Sequence, residues 1–271
     1  TNIGLCHLEN LITRDGILKA KTESFAHLTP DGIAVLNGDD DKLCDKKVVN
    51  GKPAVFYGIE KAAKVAETEE GTKTLAEKTV YATNVEAVDL TGTKAAIHYP
   101  SKETGGEVTM EVTIPIAGEH NVYNALAAVS VARELGLTCD EMKRGIESVQ
   151  TIGGRSNLIH KNGITIIDDC YNANPQSMAE GIRMLAASRQ KKRLAVLGDM
   201  GELGALTAQA HRDMGTLCRE LGIETVAVGE KMKALTETDP EAQWFAGVEE
   251  AMPAVRARFT PGTAVLVKAS H

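Results

Sequence analysis

The chain has 271 residues, enough for one large domain or two, and its 43% hydrophobic and 25% charged content is ordinary for a globular protein. A net charge of −7 argues against nucleic acid as a partner, because a nucleic-acid surface needs a basic patch. No apolar run reaches membrane-spanning length and no signal-peptide pattern opens the chain, so no membrane insertion is expected. Five scattered cysteines (Cys6, Cys44, Cys139, Cys170, Cys218) form no C-x-x-C pair, which fits reduced thiols and a cytoplasmic location better than a disulfide framework or a zinc site. The opening Thr1-Asn2-Ile3-Gly4 reads as the exit of a strand that begins upstream, so the chain is expected to be a piece of a longer protein.

The first periodic segment is a helix over 14–28, with Ile17, Ala20, Phe25 and Leu28 on one stripe. Lys21 falls on that stripe and is expected to point inward, whereas Lys19 points out. A buried lysine tends to lose its proton. Its neutral amine can then take up CO2 as a carbamate, an oxygen ligand of the kind Mg2+ prefers, with His7 nearby in sequence. The alternative is a lysine that snorkels to the surface. A short strand over 33–37 leads into the acidic turn Asp39-Asp40-Asp41, and 61–78 reads as surface helix or loop. Residues 80–114 are rich in Val, Thr and Tyr, with turns at Thr91-Gly92 and Gly105-Gly106, and predict an antiparallel meander.

Two helices follow, over 121–135 and 140–149. The first carries Asn121 and Asn124 three apart, on neighbouring faces. An asparagine carboxamide matches the N6 and N7 edge of adenine, and helix capping is the competing reading. Gly153-Gly154-Arg155 marks a hinge near residue 151. Its arginine can grip a phosphate or carboxylate, or form an interdomain salt bridge.

Beyond the hinge the texture becomes βαβ: strands over 164–168, 193–198, 224–228 and 264–267 alternate with helices over 175–188, 207–221, 230–237 and 249–258. A parallel, doubly wound α/β sheet is the predicted architecture. Its first strand runs into Asp168-Asp169-Cys170-Tyr171-Asn172-Ala173-Asn174-Pro175, two acids and an amide-rich turn where such sheets bind ligands. A capped helix start is the plainer alternative. Cys170 reads as a small filler. The loop Gly198-Asp199-Met200-Gly201-Glu202-Leu203-Gly204 has the spacing G-x-x-G-x-x-G and two acids, so a close strand-to-loop approach, or recognition of an amine, suits it better than a dinucleotide. No G-x-x-x-x-G-K-[ST] phosphate loop occurs in the chain.

Taken in order, Thr1-Asn2-Ile3-Gly4-x-x-His7, Ala20-Lys21, Gly118-x-His120-Asn121-x-x-Asn124-Ala125-Leu126-Ala127-Ala128, Gly154-Arg155, Asp168 to Pro175 and Gly198 to Gly204 resemble the Mur ligases, ATP-dependent amide-forming enzymes of peptidoglycan synthesis. The resemblance covers the chain almost end to end. It implies the later part of a central ATP-binding domain over 1–150 and most of a Rossmann-like C-terminal domain over 151–271, with the phosphate loop and a UDP-sugar domain upstream. The Tyr-Asn-Ala-Asn-Pro turn and the Gly-Asp-Met-x-Glu-Leu-Gly loop favour the branch that joins D-alanyl-D-alanine to UDP-N-acetylmuramoyl-tripeptide through an acyl phosphate. Cys170, Ala269 and His271 stand where the family usually has Ser, Gly and Arg.

The resemblance also implies roles. Asn124, with Asn121, would hold adenine; Arg155, Asp169 and Tyr171 would meet the ribose or phosphates of ATP. His7 and a carbamylated Lys21 would bind Mg2+. Asn172, Asn174, Asp199 and Lys268 would hold the incoming dipeptide. The catalytic set is then Lys21, His7 and Asp169, in a protein expected to be monomeric and, as this fragment alone, inactive. The competing readings are a sibling ligase with another acid and amine, or a non-catalytic nucleotide- or peptide-binding module.

Overall fold

In the computed structural model, which describes residues 1–5, 8–68, 71–151 and 153–270, two large sheets dominate the chain beside two small two-stranded ones. The first holds β1 (Val35–Asn37), β2 (Val55–Ile59), β3 (Val80–Val88), β4 (Gly92–Pro100) and β5 (Glu107–Ile114), in that spatial order. β1, β2 and β3 run parallel, and β3, β4 and β5 form the expected antiparallel meander. One face of this sheet packs on helices Glu119–Glu134 and Cys139–Glu147 through Val80, Ile97, Met110, Val122, Leu126, Val129, Met142 and Ile146. Leu126 has no solvent exposure, and burying a side chain of that size contributes about 2 kcal/mol.

The second sheet runs β6 (Asn157–Lys161), β7 (Ile164–Asp168), β11 (Thr263–Lys268), β8 (Lys192–Gly198), β9 (Glu224–Val228) and β10 (Gln243–Phe245). Only β6 is antiparallel to its neighbour. Helices Pro175–Ala186 and Thr207–Glu220 cover one face around Ile182, Leu185, Met214 and Cys218. Helix Val248–Ala257 covers the other around Leu194, Val226, Val255 and Val265. Leu90 and Ala117 from the first half join the core of the second, so the halves meet through packed apolar surface. The contact is reinforced where the Glu9 N–H donates to Glu202 O at 3.0 Å and the Arg189 N–H to Asp89 Oδ1 at 3.0 Å.

Several local expectations change. The helix over 14–28 is α-helical only over Arg14–Thr22 and tightens to 3-10 geometry over Glu23–His27. The hydroxyls of Thr22 and Ser24 reach back to carbonyls of the preceding turn, and Pro30 forbids helix just beyond. Residues 61–78 include a hairpin of strands Val65–Thr68 and Gly71–Thr74 rather than a helix. Strands β2, β6 and β10 are additions to the predicted set. β2 is too uniformly buried to alternate, and the other two are short or at an edge. The helix expected over 230–237 is a 3-10 helix, Lys231–Glu237.

Candidate active site

The site begins where β1 ends. Asn37-Gly38-Asp39 turns the chain under the sheet, and Asp39 pairs with Lys78 Nζ at 2.5 Å, a side chain with no solvent exposure. The second carboxylate oxygen of Asp39 accepts from the Ile59 N–H at 2.7 Å and from the Tyr123 hydroxyl at 3.1 Å. Burial, helped by the neighbouring Asp39, pushes the Tyr123 phenol well above its ordinary range, so it stays a donor. Tyr123 lies between Asn121 and Asn124 on helix Glu119–Glu134, so this buried network sets the rotation of the helix that presents both amides.

The helix starts at Gly118 with φ +106, and a Cβ there would lie 2.6 Å from the His120 ring. Asn121 Nδ2 donates to Ala117 O at 2.8 Å, and Asn121 Oδ1 accepts from Asn124 Nδ2 at 3.2 Å. Both amides line a cavity of about 380 Å3 whose walls include Ala125, Ala128, Val129, Met142 and Ile146. An apolar slot with oriented carboxamides suits a planar base that presents a donor beside an acceptor.

The second part lies at the C-terminal ends of β7, β8 and β11. The two acids that end β7 hold the hinge loop: the Gly154 N–H donates to Asp168 Oδ2 at 3.1 Å and the Ser156 N–H to Asp169 Oδ1 at 3.0 Å. Gly154 adopts φ +77, and the Tyr171 N–H donates to its carbonyl at 2.9 Å. Arg155 is thereby carried over the Tyr171 ring, 3.8 Å from the centroid, with both side chains exposed. Lys268 is 2% exposed; its ammonium pairs with Asp169 Oδ2 at 2.5 Å and donates to Asn172 O at 3.0 Å. The Ser270 hydroxyl donates to Asn172 Oδ1 at 2.7 Å. Asp199 Oδ1 accepts from the Met232 N–H at 2.8 Å.

Arg155, Asp169, Tyr171, Asn172 and Lys268 thus come together, and Asn121 and Asn124 come together at the slot. Asn174 caps helix Pro175–Ala186, its Oδ1 accepting from the Ser177 N–H at 2.9 Å. Lys21 requires correction: it is exposed, and its Nζ donates to Asn2 O at 2.8 Å. The presumed stripe is divided, because Ile17 packs with Ile3 and Leu43 while Phe25 joins a separate cluster with Leu36 and Phe56. His7 lies outside the described residues, as does His271. Among the described residues no group of three or more His, Cys, Asp or Glu is placed to hold a metal ion.

His120, Tyr123, Asp39, Lys78 and Ser270 carry parts of the site that the sequence reading did not assign. His120 Nε2 lies 3.0 Å from Asn121 Nδ2, while its Nδ1 is buried without a hydrogen-bond partner. Burial pulls this imidazole below its ordinary value, against the pull of Glu180 and Asp169 across the seam, with Lys268 acting in the same direction as burial. The signal for His120 was its place beside Asn121; Lys78 gave none, because its segment reads as surface.

Residues 1–132 match the Mur ligase middle domain, and residues 154–271 match the Mur ligase glutamate ligase domain. The UDP-N-acetylmuramoyl-tripeptide–D-alanyl-D-alanine ligase of Escherichia coli is 32% identical over 90% of this chain and 50% of its own length. The Bacillus subtilis ligase of the same name is 30% identical over 100% of this chain and 55% of its own. Among solved structures, MurF from Acinetobacter baumannii superposes with a TM-score of 0.82 at 32% identity, covering 99% of this chain and 55% of that one. MurF from Thermotoga maritima in complex with ADP gives 0.78 at 26%, covering 99% and 57%. The chain spans about half the length of the curated relatives it matches. With two successive domain matches and this likeness along its whole length, the chain belongs to the Mur ligase family.

Proposed function

We propose that the chain is the nucleotide- and acceptor-binding part of an ATP-dependent ligase that joins D-alanyl-D-alanine to UDP-N-acetylmuramoyl-tripeptide, in the cytoplasm, during the synthesis of peptidoglycan precursors on which cell shape and division depend. In this reading residues 1–150 are the later part of the central ATP-binding domain and residues 151–271 the C-terminal domain. The observation that carries it is the apolar slot with Asn121 and Asn124 on its lining.

ATP would supply the phosphoryl group that turns the tripeptide carboxylate into an acyl phosphate, the species an amine can attack. The chain's share is placement and charge neutralisation. Asn124 has a second Nδ2 hydrogen for adenine N7 and its Oδ1 for the N6 amino group, and Asn121 fixes which way the amide faces. Arg155, stacked on Tyr171 and open to solvent, offers a planar cation to the phosphates. Asp169 keeps acceptor capacity for ribose hydroxyls beyond its bonds to Ser156 and Lys268. Asn172 and Asp199 flank Lys268 and Ser270 at the strand ends, where carboxamide and carboxylate groups suit the acceptor's ammonium and peptide groups. Asn174 would act by holding the turn through its cap. Mg2+ at His7 and Lys21 stays an expectation: Lys21 is exposed, and His7 lies outside the described residues.

Asn124→Ala in the full-length protein is expected to raise the KM for ATP roughly tenfold, the loss of one to two hydrogen bonds to the base, with little change in kcat. An unchanged KM for ATP would remove the slot as the adenine site.

A further inference from the structure

His211, on helix Thr207–Glu220, is fully buried and has no part in the site described above. Its Nδ1 lies 2.6 Å from Thr207 O, an atom that can only accept, so Nδ1 carries the proton. Nε2 is then a lone pair, and the Met200 N–H donates to it at 3.1 Å. Both ring nitrogens are satisfied only in this neutral tautomer. A proton on Nε2 would set two donors against each other and break the tie to Met200.

Met200 lies in the loop 198–204, which is tied at three other points. Asp199 O accepts from the Ser270 N–H at 3.0 Å, Asp199 Oδ1 from the Met232 N–H at 2.8 Å, and Glu202 O from the Glu9 N–H of the first half at 3.0 Å. The loop therefore links the C-terminal strand ends to the helical turn Leu8–Leu11. Of these ties, the one to His211 is made by a side chain whose ordinary titration lies near neutrality. Burial pulls the His211 imidazole down; the Thr207 carbonyl and Asp199 oppose that shift and Lys231 adds to it. Asp199, from the loop itself, and Lys231, from the 3-10 helix packed on the same side, are the charged groups that face it.

We propose that His211 is a positioning residue: in its neutral form it holds the 198–204 loop, and with it Asp199, in the shape that receives the amine of the acceptor, and it releases the loop when it takes a proton. The amine-binding part of this inference rests on the proposed ligase reading; the tether does not.

The test uses backbone amide exchange and amide resonances of the 271-residue chain, wild type and His211→Gln, with D-alanyl-D-alanine as the probe. A glutamine Oε1 can stand in for Nε2 as acceptor but does not titrate. As pH falls through the imidazole range, the wild-type Met200 amide is expected to lose protection by roughly tenfold beyond the intrinsic pH effect, in step with the His211 ring resonances, while the Gln variant shows no such step. Perturbation of the Asp199 and Asn172 amides by the dipeptide is expected to fade over the same interval in the wild type and to persist in the variant. A Met200 amide indifferent to His211 protonation, or a variant that loses the dipeptide signal at the same pH as the wild type, would overturn the proposal. If Met200 follows His211 but the dipeptide perturbs neither protein at neutral pH, the acceptor reading of the loop fails and only the tether survives.

Discussion

Ile12 is 80% exposed and sits at φ +65, a left-handed conformation that a β-branched side chain resists. It occupies the tight passage from the turn Leu8–Leu11 to helix Arg14–Thr22, whose N-cap Thr13 accepts from the Gly16 N–H. Nothing is lost from a core by trimming it. Ile12→Gly is expected to raise unfolding stability by about 1 kcal/mol, the left-handed penalty less the entropy that glycine adds to the unfolded chain, read as a shift in urea midpoint. An unchanged or lower midpoint would mean that the strain is compensated by contacts of the side chain. At this scale the sequence exposes residues by their chemistry: Asn121 and Asn124 stand out as paired amides, Arg155 as a hinge arginine, and Asp168, Asp169 and Tyr171 as an acid pair and a phenol in a turn. It hides those whose role comes from burial. Lys78 lies in a charged stretch, and His211 sits in an unremarked helix; only the tertiary fold closes Asp39 over one and Met200 over the other.

Asn174 shows how an element can claim a residue that also suits a ligand. Its Oδ1 accepts from the Ser177 N–H, and the Ser177 hydroxyl answers to the Asn174 backbone, a reciprocal cap ahead of Pro175 at the first helical position. Asn174→Ala is expected to cost about 1 kcal/mol in unfolding free energy, and Asn174→Ser to recover most of it. A large rise in KM for the dipeptide in the Ser variant, with stability restored, would instead make Asn174 an acceptor ligand. The elements themselves were mostly legible. The βαβ alternation after residue 151 has strong periodicity and clear caps, and the 80–114 meander has β-branched runs with glycine turns. Among what escaped were β6, which pairs only at the sheet edge, and the 3-10 stretch Glu23–His27, where side-chain hydroxyls compete with the backbone for carbonyls. That second miss took Phe25 off the stripe expected to carry Lys21 inward; Lys21 itself lies within helix Arg14–Thr22 and is exposed there.

Across the whole molecule, the two halves meet at a seam of apolar packing, backbone hydrogen bonds and charge. Leu90 and Ala117 enter the second core, Asp89 receives the Arg189 N–H, and His120 faces Glu180, Asp169 and Lys268. Two imidazoles, His120 and His211, are held below their ordinary value of 6.5, in both cases first by burial. The unfolded chain therefore binds more protons than the folded one as pH falls below 6.5, and stability present above that value is lost on the way down to the folded values. Urea midpoints are expected to decline from pH 6.5 downward, ahead of the carboxylate range, and His211→Gln to flatten part of that decline. A midpoint constant until carboxylates protonate would contradict the burial of both rings. The seam is the level least visible in the sequence, because it depends on how two units are placed and not on the pattern within either.

The ligase reading joins these scales, with oriented amides on one half, a charged strand-end cluster on the other, and a loop tied to both. Product analysis on the full-length protein tests it most directly. With ATP and UDP-N-acetylmuramoyl-tripeptide present, D-alanyl-D-alanine is expected to yield the amide-linked product by mass spectrometry together with an equal amount of ADP, and single amino acids are expected to yield neither. ADP formation that ignores the dipeptide, or product formed equally from other amines, would contradict it.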